Sequence, residues 1–127
     1  MLDTSIAIRI RDAEPEALSR LEATEGPISL SIITWIELES GVARDPASRG
    51  NRRQALDDIL STYPVAALTK RDVLAYRTIV EALGFSRPKL LDRIIAAQAI
   101  AAEAVLATQN ARDFRDIPGL KLEEWSS

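Results

Sequence analysis

The feature that most restricts this chain is its regular alternation of short apolar runs with longer helical patterns. The runs are Met1–Ser5, Ile28–Ser31, Pro64–Leu68, Ala104–Thr108 and Leu120–Trp125. Between them lie stretches with helical spacing at Glu14–Thr24, Ile32–Ala43, Arg49–Ser61, Lys70–Leu83 and Leu90–Glu103. Strands separated by a helix cannot close as hairpins, and crossovers of this length make neighbouring strands parallel. The expectation is an α/β fold with a mostly parallel central sheet flanked by helices on both faces. Local signals agree: Pro15 suits a first turn, Thr69 an N-cap and Gly84 a C-cap. Ile6–Ile10 fits a helix or a strand equally well. The helix over Ile32–Ala43 offers Ile32, Ile33, Ile36 and Val42 for burial. At 127 residues the chain is expected to form one domain over 1–127.

Two absences limit the chemistry. There is no cysteine and no histidine, which excludes disulfides, thiolate nucleophiles, Cys/His zinc sites and any histidine acid or base. Carboxylates, hydroxyls, amides, Lys and Arg remain. The net charge is −3, but it is unevenly spread. Ser40–Arg93 holds ten basic residues against six acidic, whereas the remainder holds six against thirteen. Such a basic zone suits nucleic-acid contact, and solvated helix faces give the same pattern. No apolar run is long enough to span a membrane and no signal-peptide pattern opens the chain, so a cytoplasmic location is expected.

Open parallel sheets gather function outside the carboxyl ends of their strands. Asp3 ends the first run, followed by the hydroxyls of Thr4 and Ser5. Thr108-Gln109-Asn110 ends a later run, with Asp113 just beyond. Glu37 stands in an otherwise apolar helical stretch, and Asp92 stands early in another. Each acid also has a structural reading, as a helix cap, a turn residue or a solvated side chain. Together they imply a cost. At ~6 Å and an effective dielectric of ~20, each carboxylate pair repels by about 3 kcal/mol. A pocket holding four must take up protons or bind a divalent cation. With oxygen ligands alone that cation is Mg²⁺ or Mn²⁺, and metal-assisted phosphodiester hydrolysis follows.

Four segments carry a resemblance: Leu2-Asp3-Thr4-Ser5, Ile33-Thr34-Trp35-Ile36-Glu37-Leu38-Glu39-Ser40-Gly41, Asp92-Arg93-Ile94-Ile95-Ala96-Ala97 and Thr108-Gln109-Asn110-Ala111-Arg112-Asp113-Phe114. In this order and spacing the chain resembles PIN-domain ribonucleases, above all the VapC toxins of type II toxin–antitoxin modules. The resemblance runs over essentially the whole chain and implies a PIN-like nuclease domain. It implies that Asp3, Glu37, Asp92 and Asp113 form a catalytic Mg²⁺ or Mn²⁺ site, with Asp116 a competitor for the fourth place. Glu37 takes the second place because it precedes Leu38 in Glu-Leu-x-x-Gly, leaving Glu39 as its solvated neighbour. Ser5, Thr108 and Asn110 are implied to orient a carboxylate or a metal-bound water, and Gly41 to open space on the face of Glu37.

The resemblance further implies an RNA substrate, a homodimer and a VapB-like antitoxin whose tail lies in an apolar groove and presents a basic side chain to the acids. Trp35, Ile36 and Ile6–Ile10 are the candidate apolar contacts for that tail, although Ile36 is expected first of all in the core. Arg44, Arg49, Arg52 and Arg53, with Lys70 and Arg71, are the candidates to track an RNA backbone. Two departures from the pattern stand out. Only Met1 and Leu2 precede Asp3, which predicts a poorly paired first strand and a terminal ammonium within about 7 Å of the Asp3 backbone. Arg93 stands beside Asp92 and is expected at the surface. The competing functions are a PIN-fold nuclease acting on DNA or in RNA processing, and a catalytically silent acidic α/β module that binds a partner. A receiver-type phosphoacceptor domain lacks the paired acids and late lysine it would need.

Overall fold

The computed structural model describes residues 1–125. Its helices are α1 (Thr4–Arg11), α2 (Pro15–Ala23), α3 (Ile32–Arg44), α4 (Arg49–Thr62), α5 (Lys70–Leu83) and α6 (Leu90–Ala101). Four short strands accompany them: β1 (Leu30–Ser31), β2 (Val65–Ala66), β3 (Val105–Thr108) and β4 (Lys121–Glu124). Strand β1 pairs with β2, and β3 with β4, both in parallel. Leu2 joins the two pairs, bridging Leu30 on one side and Ala107 on the other. The order across the sheet is therefore β2, β1, Leu2, β3, β4.

This order decides where a site can form. From Leu2 the chain builds outward through β1 and β2, then returns to the other side of Leu2 for β3 and β4. The reversal lies at Leu2, and the crevice outside such a switch point is where open α/β sheets bind ligands. Asp3 is the next residue.

The first strand is short but not poorly paired, contrary to expectation. The Leu2 N–H donates to Ser29 O at 3.0 Å, the Asp3 N–H to Ala107 O at 2.9 Å and the Ala107 N–H to Met1 O at 2.8 Å. A central position lets one residue bond on both sides, so length is not needed. The terminal ammonium donates to Val105 O at 2.8 Å. Burial lowers its pKa against the opposing pull of Glu123. It is committed near the start of β3, away from the carboxyl ends, and does not neutralise the acids.

Two apolar cores lie on opposite sheet faces. Leu106 packs with Ile79, Ile95, Ala96 and Phe114, while the adjacent Ala107 packs with Leu2, Ile6, Leu38, Leu56 and Trp125. Successive strand residues point to opposite faces, so the helices do cover both. Asp3 resolves the ambiguity of Ile6–Ile10, because its side chain caps α1 through the Ile6 N–H and makes the stretch helical. The last helix stops at Ala101 rather than Glu103, because Glu103 turns at φ 53°. Gln98, buried in α6, donates to Ala66 O and Ala67 O and accepts from the Ser31 hydroxyl, which also caps α3. One side chain thereby locks α6 to the ends of β1 and β2.

Two surface assignments reverse. Ile36, expected in the core, is 56% exposed, since Leu38 and Val42 take the buried positions of α3. Arg93, expected at the surface, is 5% exposed and donates to Gly84 O at 2.9 Å. It closes the end of α5 against α6.

Candidate active site

Asp3 sits buried at the carboxyl end of the central strand. Its Oδ1 accepts from the Ser5 hydroxyl at 2.6 Å and the Ile6 N–H at 3.0 Å, and its Oδ2 accepts from the Thr108 hydroxyl. Capping and site geometry therefore coexist in one carboxylate. Burial pushes its pKa up, against the downward pull of Ser5, Thr108 and backbone N–H groups. Thr108 and Ser5 are themselves held, by the Asn110 N–H at 2.9 Å and the Gln109 N–H at 3.2 Å. Asn110 thus contributes through its backbone.

Glu37 has a separate support that the sequence reading missed. The Thr4 hydroxyl donates to Glu37 Oε1 at 2.7 Å and lies 3.0 Å from the hydroxyl of the fully buried Thr34. A hydroxyl carries one proton. Thr4 spends its proton on Glu37, so Thr34 must be the donor to Thr4. The signal was present: Thr34 and Glu37 are three residues apart, on one helix face.

Asp92 lies in the first turn of α6. Its carboxyl is pushed up to about 6, first by burial and then by the charges of Asp3, Glu37 and Asp113, with Lys89 opposing. All four acids therefore share one electrostatic neighbourhood. Asp113, in the turn Ala111–Asp113, is one of the acids whose charge reaches Asp92. The Asp92 and Asp113 carboxylates accept no hydrogen bond among the described residues, which leaves their oxygens available.

Residues 1–120 match the PIN domain family model. Ribonuclease VapC2 of Rickettsia felis is 33% identical over 98% of this chain and 96% of its own length. This chain belongs to the PIN-domain family, in its VapC branch. Among solved structures, VapBC2 from Rickettsia felis bound to a promoter DNA fragment superposes with a TM-score of 0.83 at 30% identity, covering 99% of this chain and 100% of that one. DNA-bound VapBC from Salmonella typhimurium gives 0.85 at 25% identity, covering 98% and 96%.

PIN-domain ribonucleases are divalent-metal dependent in general, and the donor set here is suited to such an ion: carboxylate oxygens, two of the groups unbonded, and no nitrogen or sulfur ligand. Among the described residues no three acids already stand in ligating geometry.

The sequence candidates on α3 and α4 are arranged differently. Arg53 donates to both Glu39 oxygens at 2.6 and 3.2 Å and to Asp57 at 2.6 Å. Glu39 also accepts from Trp35 Nε1, and these bonds lower its pKa. Arg52 donates to Gly41 O at 2.9 Å, and Arg49 donates to Ala43 O at 3.3 Å. Arg44 is exposed at the end of α3. Gly41 does not open space toward the acids. A Cβ there would stand 2.9 Å from an Arg11 guanidinium nitrogen, so the glycine admits that arginine.

Proposed function

We propose that this PIN-domain protein is the endoribonuclease toxin of a VapBC-type toxin–antitoxin pair, hydrolysing RNA phosphodiesters with Mg²⁺ or Mn²⁺. The observation that carries the reading is the Asp92 carboxyl, in the first turn of α6, under the charges of Glu37, Asp113 and Asp3, the last of which lies at the switch point of the parallel sheet. A fold gains nothing from holding four like charges together, so the arrangement serves a cation.

Asp3, Glu37, Asp92 and Asp113 would hold the ion. Bound there, it supplies an activated water and neutralises charge on the scissile phosphate. The protein's part is to fix the carboxylates: Ser5 and Thr108 orient Asp3, Asn110 anchors Thr108, and the Thr34–Thr4 pair orients Glu37. The neighbours of known structure are VapBC assemblies, which supports an antitoxin partner. The exposed Ile36, beside Glu37, offers that partner an apolar contact. The toxin works as a homodimer in the cytoplasm, and exposed Val73 and Leu74 on α5 leave apolar surface for self-association.

The test is cleavage of single-stranded RNA by purified protein with and without Mg²⁺. Metal-dependent cleavage, together with a metal-linked rise in Tm, is the expected result. Folded protein with neither response would make this a silent binding module. Cleavage of DNA but not RNA would move it to another PIN-fold function.

A further inference from the structure

We propose that RNA is held at the acid pocket by Lys89, near Asp92, and Arg112, beside Asp113, with the cleft lined by Asp113 taking the adjoining nucleotide. This inference rests on the ribonuclease reading above. A phosphate backbone is repelled by four carboxylates and approaches only where cations with free valence flank them.

Most arginines of the chain lack that freedom. Arg53 is shared between Glu39 and Asp57, and Arg52 is held by Gly41 O with Asp45 at 3.9 Å. Arg9 and Arg11 pair with Glu14 and Asp12, and Arg93 is buried beneath Gly84. Lys89 and Arg112 form no ion pair or side-chain hydrogen bond among the described residues. Lys89 occupies the N-cap position of α6, three residues before Asp92, and its charge reaches the Asp92 carboxyl. Arg112 is exposed and immediately precedes Asp113.

The Arg112 side opens into a cleft of about 360 Å³ lined by Gln109, Asn110, Arg112, Asp113, Arg115 and Glu124. That volume lies in the range of small-ligand sites, about 300–1,000 Å³. The Gln109 and Asn110 side-chain amides have no protein partner among the described residues. Each presents a donor and an acceptor to a base edge or a 2′-hydroxyl. Arg115 stands 3.5 Å from Glu124, with both side chains about half exposed or more. Such a pair yields easily to a phosphate. A single unstacked nucleotide fits this cleft, whereas on α4 Arg52 and Arg53 are paired with acids.

The test measures binding of a fluorescent single-stranded RNA to the Asp92→Asn protein in EDTA, by anisotropy, across ~50 to 200 mM salt. Adding Arg112→Ala or Lys89→Ala is expected to weaken binding about tenfold and to cut the salt slope by about 0.7 each. Arg112→Lys keeps the slope because it keeps the charge, and Arg44→Ala leaves affinity and slope unchanged. RNA binding with an unaltered slope in both alanine variants overturns this placement alone. A slope lost in Arg44→Ala instead would return the RNA path to the α3–α4 side. No RNA binding by the Asp92→Asn protein itself overturns the ribonuclease reading and this inference with it.

Discussion

Two charged regions of this molecule look alike in sequence and differ in physics. On α3 and α4, Glu39, Arg53 and Asp57 form a closed lattice in which each charge meets an opposite one. At the carboxyl ends of the strands, Asp92 lies under the charges of Asp3, Glu37 and Asp113, and the bonds that support Asp3 and Glu37 come from neutral hydroxyls and an N–H group. The first region lowers the pKa of its acid, Glu39, and the second raises those of Asp3 and Asp92. Opposite shifts in the two regions separate charge that holds the fold from charge that we propose to serve a ligand.

The sharpest break of this contrast is Asp92→Asn. Loss of a metal-ligating oxygen is expected to reduce Mg²⁺-dependent RNA cleavage more than about 100-fold, because even supporting residues of metal sites cost 10–100-fold. The metal-free variant should also melt higher than wild type, which a structural acid would not do. Cleavage near the wild-type rate would remove Asp92 from the site.

Glu37 and Glu39 carry the contrast within one helix. Glu37→Gln should lose activity on a similar scale with little change in Tm. Glu39→Gln should keep activity and lower Tm by a few degrees, because it opens the Arg53 lattice. The reverse outcome in the cleavage assay would exchange the roles of the two glutamates.

A smaller effect is expected from Thr4→Val, which removes the donor to Glu37 Oε1. Mn²⁺ affinity measured by calorimetry should fall about tenfold, and Thr4→Ser should restore it. Equal affinities in all three proteins would show that Glu37 is oriented without the hydroxyl pair.

The smallest effect is a pH dependence. Asp92 has a pKa of about 6 in the folded protein against an ordinary 3.8. Between those values the folded state keeps a proton that the unfolded state has released, so stability falls as pH rises through this window and is level above it. The shift sets an upper bound of about 3 kcal/mol, reduced by solvent screening at a half-buried site. Subtracting the Tm of Asp92→Asn from that of metal-free wild type isolates this term. A difference that stays flat from pH 4 to 7 would place Asp92 outside the shared field.

Much of this architecture can be read from short-range chemistry. Pro15, Thr69 and Gly84 punctuate the helices through bonds and torsions that reach only a few residues, and the strand–helix alternation dictates parallel crossovers. The order of the four acids along the chain, each after a strand or on a helix facing the crevice, is likewise a property of the sequence. The burial of Arg93, the exposure of Ile36 and the filling of the Gly41 notch by Arg11 were not readable, because each depends on a partner from another element. The same holds for which charges remain uncompensated. Glu37 and Glu39 are two residues apart, yet one meets Thr4 and the other Arg53, residues 33 and 14 positions away in the chain. A side chain's identity sets the charge it carries. The neighbours that folding brings from distant segments decide whether that charge is already spent.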